Sequence, residues 1–420
     1  MLRHLLIAGV FLVPAFARAE ERFVPAADGA LAAAVQSARA GDLLRLGPGT
    51  HRGPVVIRTT LTLQGEKGAV IDGGGQGSVI TVKAGNVTIR GLTIRGSGSG
   101  GNGLDAGITL NKAATGAKVE NNRLTGNLVG IDIHGAKNAL IRNNIIEGRR
   151  DRRMNDRGNG IYVWNAPGAK VTGNDIRWGR DGIFVNTSRN NVFARNRFRD
   201  LRFAVHYMYA NDSIVSENIS VGNHLGYAVM FSDRVRIENN LSRDDRNYGI
   251  MLNYTNNSTV TGNRIENVKN KCVFIYNAHK NIFRANRFEG CGIGIHFTAG
   301  SERNVMSGNA FIRNRIQVKY VGSKWVDWSA GGRGNYWSDH PAYDLNGDGI
   351  ADAAYRPNDI MDKVLWSQPS AKLLLGSPAV QLIRWAQAAF PAILPGGVID
   401  RAPLMRPPAI TAPAWKDNKQ

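Results

Sequence analysis

The chain is short of the residues that most often carry chemistry. It has two cysteines in 420 residues, and they form no CxxC or other Cys-rich zinc pattern. Carboxylates are outnumbered by basic groups, 33 to 53. They make no repeated acidic pair, no Asp-Pro-His-Asp element and no Ser-His-Asp set that spacing would bring together, so nothing here argues for a general acid–base or nucleophilic centre. Catalysis on an acidic polysaccharide is the alternative that the basic charge keeps in view. Beyond the first residues, no hydrophobic run is long enough to span a bilayer.

What the N-terminus does have is a short apolar run at 5–16, preceded by Arg3 and His4 and followed by Ala17-Arg18-Ala19. That is the pattern of a secretory leader with a small-x-small cleavage site, and it places the mature start at Glu20 in the periplasm or outside the cell. The formal charge of +20 suits a polyanion or a membrane surface. The basic residues are scattered, however, and no nucleic-acid motif accompanies them, so most of this charge reads as solvated surface and nucleic acid is not an expected partner.

A repeat organises the rest. An Asn precedes an apolar residue at Asn122, Asn144, Asn174, Asn196, Asn218, Asn240, Asn263, Asn286 and Asn309, in steps of 22, 30, 22, 22, 22, 23, 23 and 23. A fixed period near 22 means one supersecondary unit stacked on itself. Between markers stand strands such as Gly130-Ile-Asp-Ile, Gly182-Ile-Phe-Val and Gly249-Ile-Met-Leu, whose second and fourth positions are apolar while the third varies, as in a half-buried strand. Each unit holds short strands with Gly, Asn or Asp between them, and no helical segment. The expected fold is therefore all-β, a right-handed parallel β-helix in which each strand pairs with its copy one coil away, about 4.8 Å along the axis. Asn suits a left-handed corner and can hydrogen-bond in a ladder, so the markers read as structural.

Around this β-helix, set at 20–321, the sequence places a leader at 1–19 and a C-terminal cap at 322–420. Asp28 is the expected cap of a short helix carrying Leu31, Ala34 and Val35 that covers the first coil, with Gly41 ending it. A glycine-rich stretch at 96–103 reads as a flexible loop. An arginine-rich insertion at 149–157 reads equally as solvated charge or as a docking loop. Ser377-Pro378 starts an apolar helix with Leu382, Ile383, Trp385 and Phe390, expected to cap the last coil, with partner binding as the alternative. The Pro-rich tail from Arg401 is expected to be extended and partly disordered. Cys272 and Cys291 are 19 apart, on adjacent coils but out of column; a disulfide and two buried thiols both fit.

The third strand position should form an outward row: Thr109, Asp132, Tyr162, Phe184, His206, Met230, Met251, Phe274 and His296. A parallel row includes His134, Trp164, Asn186, Met208, Asn253 and Tyr276. His206, Met208, Met230 and Met251 thus fall on three consecutive coils, where thioether and imidazole together favour Cu(I). An apolar strip against which a loop or partner packs is the competing reading. Asp344, Asn346, Asp348 and Asp352 have the spacing of a calcium loop, with Gly349 at position six but Tyr355 where a bidentate Glu belongs. A structural calcium and an ion-free turn both fit.

Taken together, the exported repeat, Gly334-Asn335-Tyr336-Trp337-Ser338-Asp339, the loop from Asp344 to Asp352, Ser377-Pro378-Ala379 and Asp400-Arg-Ala-Pro-Leu-Met405 resemble the NosD family, periplasmic accessory proteins of nitrous oxide reductase maturation. The likeness covers nearly the whole chain, and the C-terminal motifs are its specific part. It implies a non-enzymatic protein that works with an ABC transporter, both its membrane subunit and its ATPase, and with a copper-chaperone lipoprotein to assemble the copper sites of nitrous oxide reductase. It brings no ligand set.

Overall fold

A computed structural model describes residues 19–413 apart from 101–102, 299, 323, 359–360, 362–363, 365–367, 375–376, 391–395 and 411–412. All but the last residue of the expected leader lies outside them.

Three parallel sheets wind around one core. Two have 13 strands and one has 12, and a typical coil contributes one strand to each: Lys118–Glu120, Arg123–Thr125 and Val129–His134. The first sheet runs from Glu21–Val24 to Val305–Ser307, the second from Val55–Ile57 to Ile316–Val321, and the third from Gly49–Arg52 to Tyr336–Trp337. The alternation of apolar and variable positions sets the register, because a slip of one residue would turn every apolar side chain to water. In that coil Val119, Leu124, Ile131 and Ile133 point inward and are fully buried. This is the parallel β-helix that the repeat predicts.

The asparagines form one continuous ladder at the corner between the first and third sheets. Asn218 shows the pattern: its backbone N–H and its side-chain amide both donate to Asn240 Oδ1, and the amide also donates to the carbonyl of Phe193. The chain of such contacts runs from Asn122 through Asn309 to Asn335. One detail differs from expectation. The left-handed backbone belongs to the residue before each marker, such as Asn121, Arg195 or Glu217, with φ near 55°, while the marker itself turns inward and is buried.

The ladder needs an end that only accepts, and Asp400 supplies it. Its Oδ2 takes the N–H of Asn335 at 2.7 Å and the indole N–H of Trp337 at 2.8 Å. A Cβ on Gly334 would come within 1.7 Å of Asp400 Oδ1, so glycine is required there. Leu404 and Met405 then bond back to Asn335 and Gly349. The beginning of the tail is thus locked into the body rather than loose, because closing the ladder is what it does.

At the other end a helix, α1 (Ala30–Gln36), buries Leu31 and Val35 over the first coil. Gly29, not Asp28, is its N-cap, and Ser37 rather than Gly41 ends it; Asp28 instead faces Arg52 at 3.5 Å. Toward the C-terminus a helix, α2 (Pro378–Ala389), starts as expected, with the Ser377 hydroxyl accepting from Val380 N–H. It does not pack as a cap: Val380 is buried, but Leu382, Ile383, Trp385 and Phe390 are exposed. Cys272 and Cys291 are joined in a buried disulfide. The insertion at 149–157 is tied down by Arg149, whose guanidinium donates to Ser99 Oγ and the carbonyl of Ser97, clamping the glycine-rich loop.

Candidate metal-handling face

The second sheet carries the longest strands, and its outward side chains form two rows. Strand register pairs His206 with Ala228 and Met208 with Met230, then Ala228 with Met251 and Met230 with Asn253. The straight file of His206, Met230 and Met251 read from the sequence is therefore corrected. The phrase Ala228-Val-Met-Phe resembles Ala204-Val-His-Tyr, yet the step of 22 from His206 lands on Ala228, and Tyr227 fills the interior position opposite Val205.

The four groups still share one patch. His206 and Met208 lie on one coil, Met230 on the next and Met251 on the one after, an area about 10 Å tall and 7 Å wide from coil rise and residue spacing. The three methionines are half-buried, so each side chain is partly exposed on this face, and thioether is a soft ligand.

His206 is held in place by partners that the periodicity did not reveal. Its Nδ1 lies 3.1 Å from Asp181 Oδ2, and Arg202 grips the same carboxylate at 2.8 and 2.7 Å. Burial raises the Asp181 pKa, but the hydrogen bonds from His206 and Arg202 outweigh it and keep the carboxylate ionised. With Nδ1 facing the Asp181 carboxylate, Nε2 is the ring nitrogen turned away from it, the arrangement by which carboxylates orient metal-binding histidines. The rings of Phe184 and Phe203 flank it, each 4.8 Å away.

Elsewhere in the rows the chemistry differs. Asp132 is buried, its Oδ1 has no partner, and burial pushes its pKa up to about 7. Burial, with Lys271 and Lys319 nearby, lowers His296 to about 4 and keeps it neutral. Among the described residues no group of three or more His, Cys, Asp or Glu side chains is arranged to hold a metal ion. In the acidic loop, Asp344 accepts the N–H groups of Gly347 and Gly349, Asn346 and Asp348 accept two-residue backbone bonds, and Asp352 accepts from Leu345. These are the bonds of an Asx-rich turn, and the loop holds its shape through them.

Sequence reasoning also missed a file of aromatics beside the methionines. Tyr209, Phe231 and Tyr254 stack at 5.2 Å intervals, with φ of 53°, 48° and 50°. Gly135, Asn165, Thr187 and Asn277 hold the same left-handed corner on other coils. Large aromatics are rare in that conformation. The signal was there as a break in composition at a constant offset from each strand.

Comparison with known proteins agrees with this architecture. A family model described as periplasmic copper-binding protein (NosD) matches residues 142–342, and one described as a protein of unknown function matches residues 29–241. A Pseudomonas aeruginosa protein named probable ABC transporter binding protein NosD is 43% identical over 377 residues, 87% of this chain and 88% of the relative. A Stutzerimonas stutzeri protein of the same name is 41% identical over 378 residues, 87% of each. Among solved structures, a mannuronic acid-specific polysaccharide lyase of family 6 from human gut microbiota superposes with a TM-score of 0.50 at 12% identity, covering 72% of this chain and 82% of that one; at that identity the likeness is one of fold. With more than two fifths of its residues shared over most of its length, the chain belongs to the NosD family.

Proposed function

We propose that the protein is a non-enzymatic, copper-handling docking platform of the periplasm, delivered there by its N-terminal leader. It works with the membrane subunit and ATPase of an ABC transporter and with a copper-chaperone lipoprotein to mature the copper sites of nitrous oxide reductase. Family membership supports the general role: the family model is described as periplasmic copper-binding, and the relatives carry the name ABC transporter binding protein.

The observation that carries the reading is the patch of Met208, Met230 and Met251 beside an imidazole oriented by Asp181. Thioethers and neutral imidazole bind Cu(I) and hold it weakly enough at a surface to pass it on. Copper here is cargo, received from one partner and given to another.

The test is Cu(I) affinity, measured anaerobically against a chromogenic chelator. Replacing Met208, Met230 and Met251 together with Leu keeps side-chain volume and should abolish Cu(I) binding while leaving circular dichroism unchanged. An unaltered affinity in the triple variant removes this patch as the site.

A further inference from the structure

A groove runs across the coils beside the methionine patch, where the second sheet turns toward the first. It is an open groove of about 670 Å³, with the exposed Tyr209 in its lining. Its floor is low because Asn165 and Thr187 occupy the corner file that becomes aromatic at Tyr209.

The lining has one sign of charge. Lys112, Lys137 and Arg189 line the groove, and among the described lining residues there is no carboxylate, although Asp212 stands close enough to Arg189 to feel its charge. Three like charges around a concave surface raise the local concentration of anions. The second component is flat and aromatic: the indole of Trp164 is stacked on the imidazole of His134, with centroids 4.3 Å apart and planes 27° apart. The third is a set of amides, from Asn111, Asn165 and Asn211, a group that both donates and accepts hydrogen bonds.

We infer that this groove binds an acidic oligosaccharide, a short polymer of uronic acids. Each component has a counterpart in such a ligand. The ring carboxylates meet the cations, the apolar face of a pyranose lies on Trp164, and the hydroxyls, which donate and accept, meet the amides. The coil rise of about 4.8 Å is close to the length of one sugar ring, so successive coils address successive sugars. An acidic peptide would satisfy the cations but has no regular use for the stacked indole face.

The inference is independent of the copper reading, and its test leaves the methionines intact. Calorimetric titration of the full mature chain with oligogalacturonate should show binding that weakens with added salt, as screened charge requires. The methyl-esterified oligomer should bind about tenfold more weakly, as should Trp164→Ala and the double variant Lys112→Gln/Lys137→Gln with the acidic form. These surface variants should melt with the parent and keep its Cu(I) affinity. No binding of oligogalacturonate, unchanged binding in both variants, or equally tight binding of polyglutamate would overturn the assignment, the last in favour of an acidic peptide.

Discussion

At the corner between the first and third sheets, every coil from Asn122 to Asn335 carries asparagine. On the outward face of the second sheet, the same coils carry Asp132, Tyr162, Phe184, His206, Ala228, Met251, Phe274 and His296 in one row. Both positions recur at the same step, yet only the first is constant. The buried corner must satisfy its backbone groups on every coil without water, and one side chain with a donor and an acceptor on a short stem does that. The outward face has no such duty. Uniformity along this solenoid therefore marks structure, and variety along it marks the surface available for contact.

The sharpest way to break that contrast is at a rung. Asn218→Ala would strip the acceptor from Asn196 N–H and its side-chain amide, and the donor from the Phe193 carbonyl. Leaving these buried groups unpaired should cost about 4 kcal/mol, read as a fall in the denaturation midpoint. The Met208, Met230 and Met251 exchange on the outer face should cost far less, because half-exposed side chains of equal volume are being swapped. Equal losses at the two places would remove the distinction.

This contrast also decides what could be read from the sequence. The period, the strands and the inward positions were legible because each is enforced on every coil by the same packing. The end of the ladder was visible only as the motifs around Asn335 and Asp400, which stand 65 residues apart; nothing local says that a carboxylate closes a file of amides. The site was half legible. Composition placed His206 and the methionines on one face, but a look-alike phrase shifted Met230 by two positions. The clamp of Asp181 on His206 joins residues 25 apart, not one period, so it escaped a search by columns. Helix α2 misled for a related reason: its apolar residues promised burial, and only the fold shows that Val380 faces the body while Leu382 and Trp385 face away.

Asp245 extends the comparison to charge. It stands at the corner between the third and second sheets, beyond the strand that follows ladder residue Asn240, fully buried and accepting from Ser220, Ser242 and the N–H of Asn223. Burial raises its pKa to about 7 in spite of those bonds. The folded chain thus holds a proton that the unfolded chain releases near its ordinary value of 3.8. The sign follows: the contribution is fully present below about pH 4 and lost as pH rises through about 7. Asp245→Asn keeps the acceptor for Asn223 and removes the titration. Its stability relative to the parent should therefore rise from about pH 4 to about pH 7 and level off above. A difference independent of pH across that window would mean that Asp245 is ionised in the fold.

The smallest expected effect is on the aromatic corner beside the methionines. Phe231 sits at φ 48°, 38% exposed, between the rings of Tyr209 and Tyr254. A left-handed backbone costs a residue of this kind about 1–2 kcal/mol. Two stacks at a wet surface recover part of that cost. Asn tolerates the conformation, as it does at Asn165 and Asn277 on the same file. Phe231→Asn should then raise stability by up to about 1 kcal/mol, seen as a modest increase in denaturation midpoint. A loss instead would class the stacked rings with the ladder, as part of what holds the coils together. A gain would mean that the fold retains an aromatic where a smaller residue is more stable, on the face that carries Met208, Met230 and Met251.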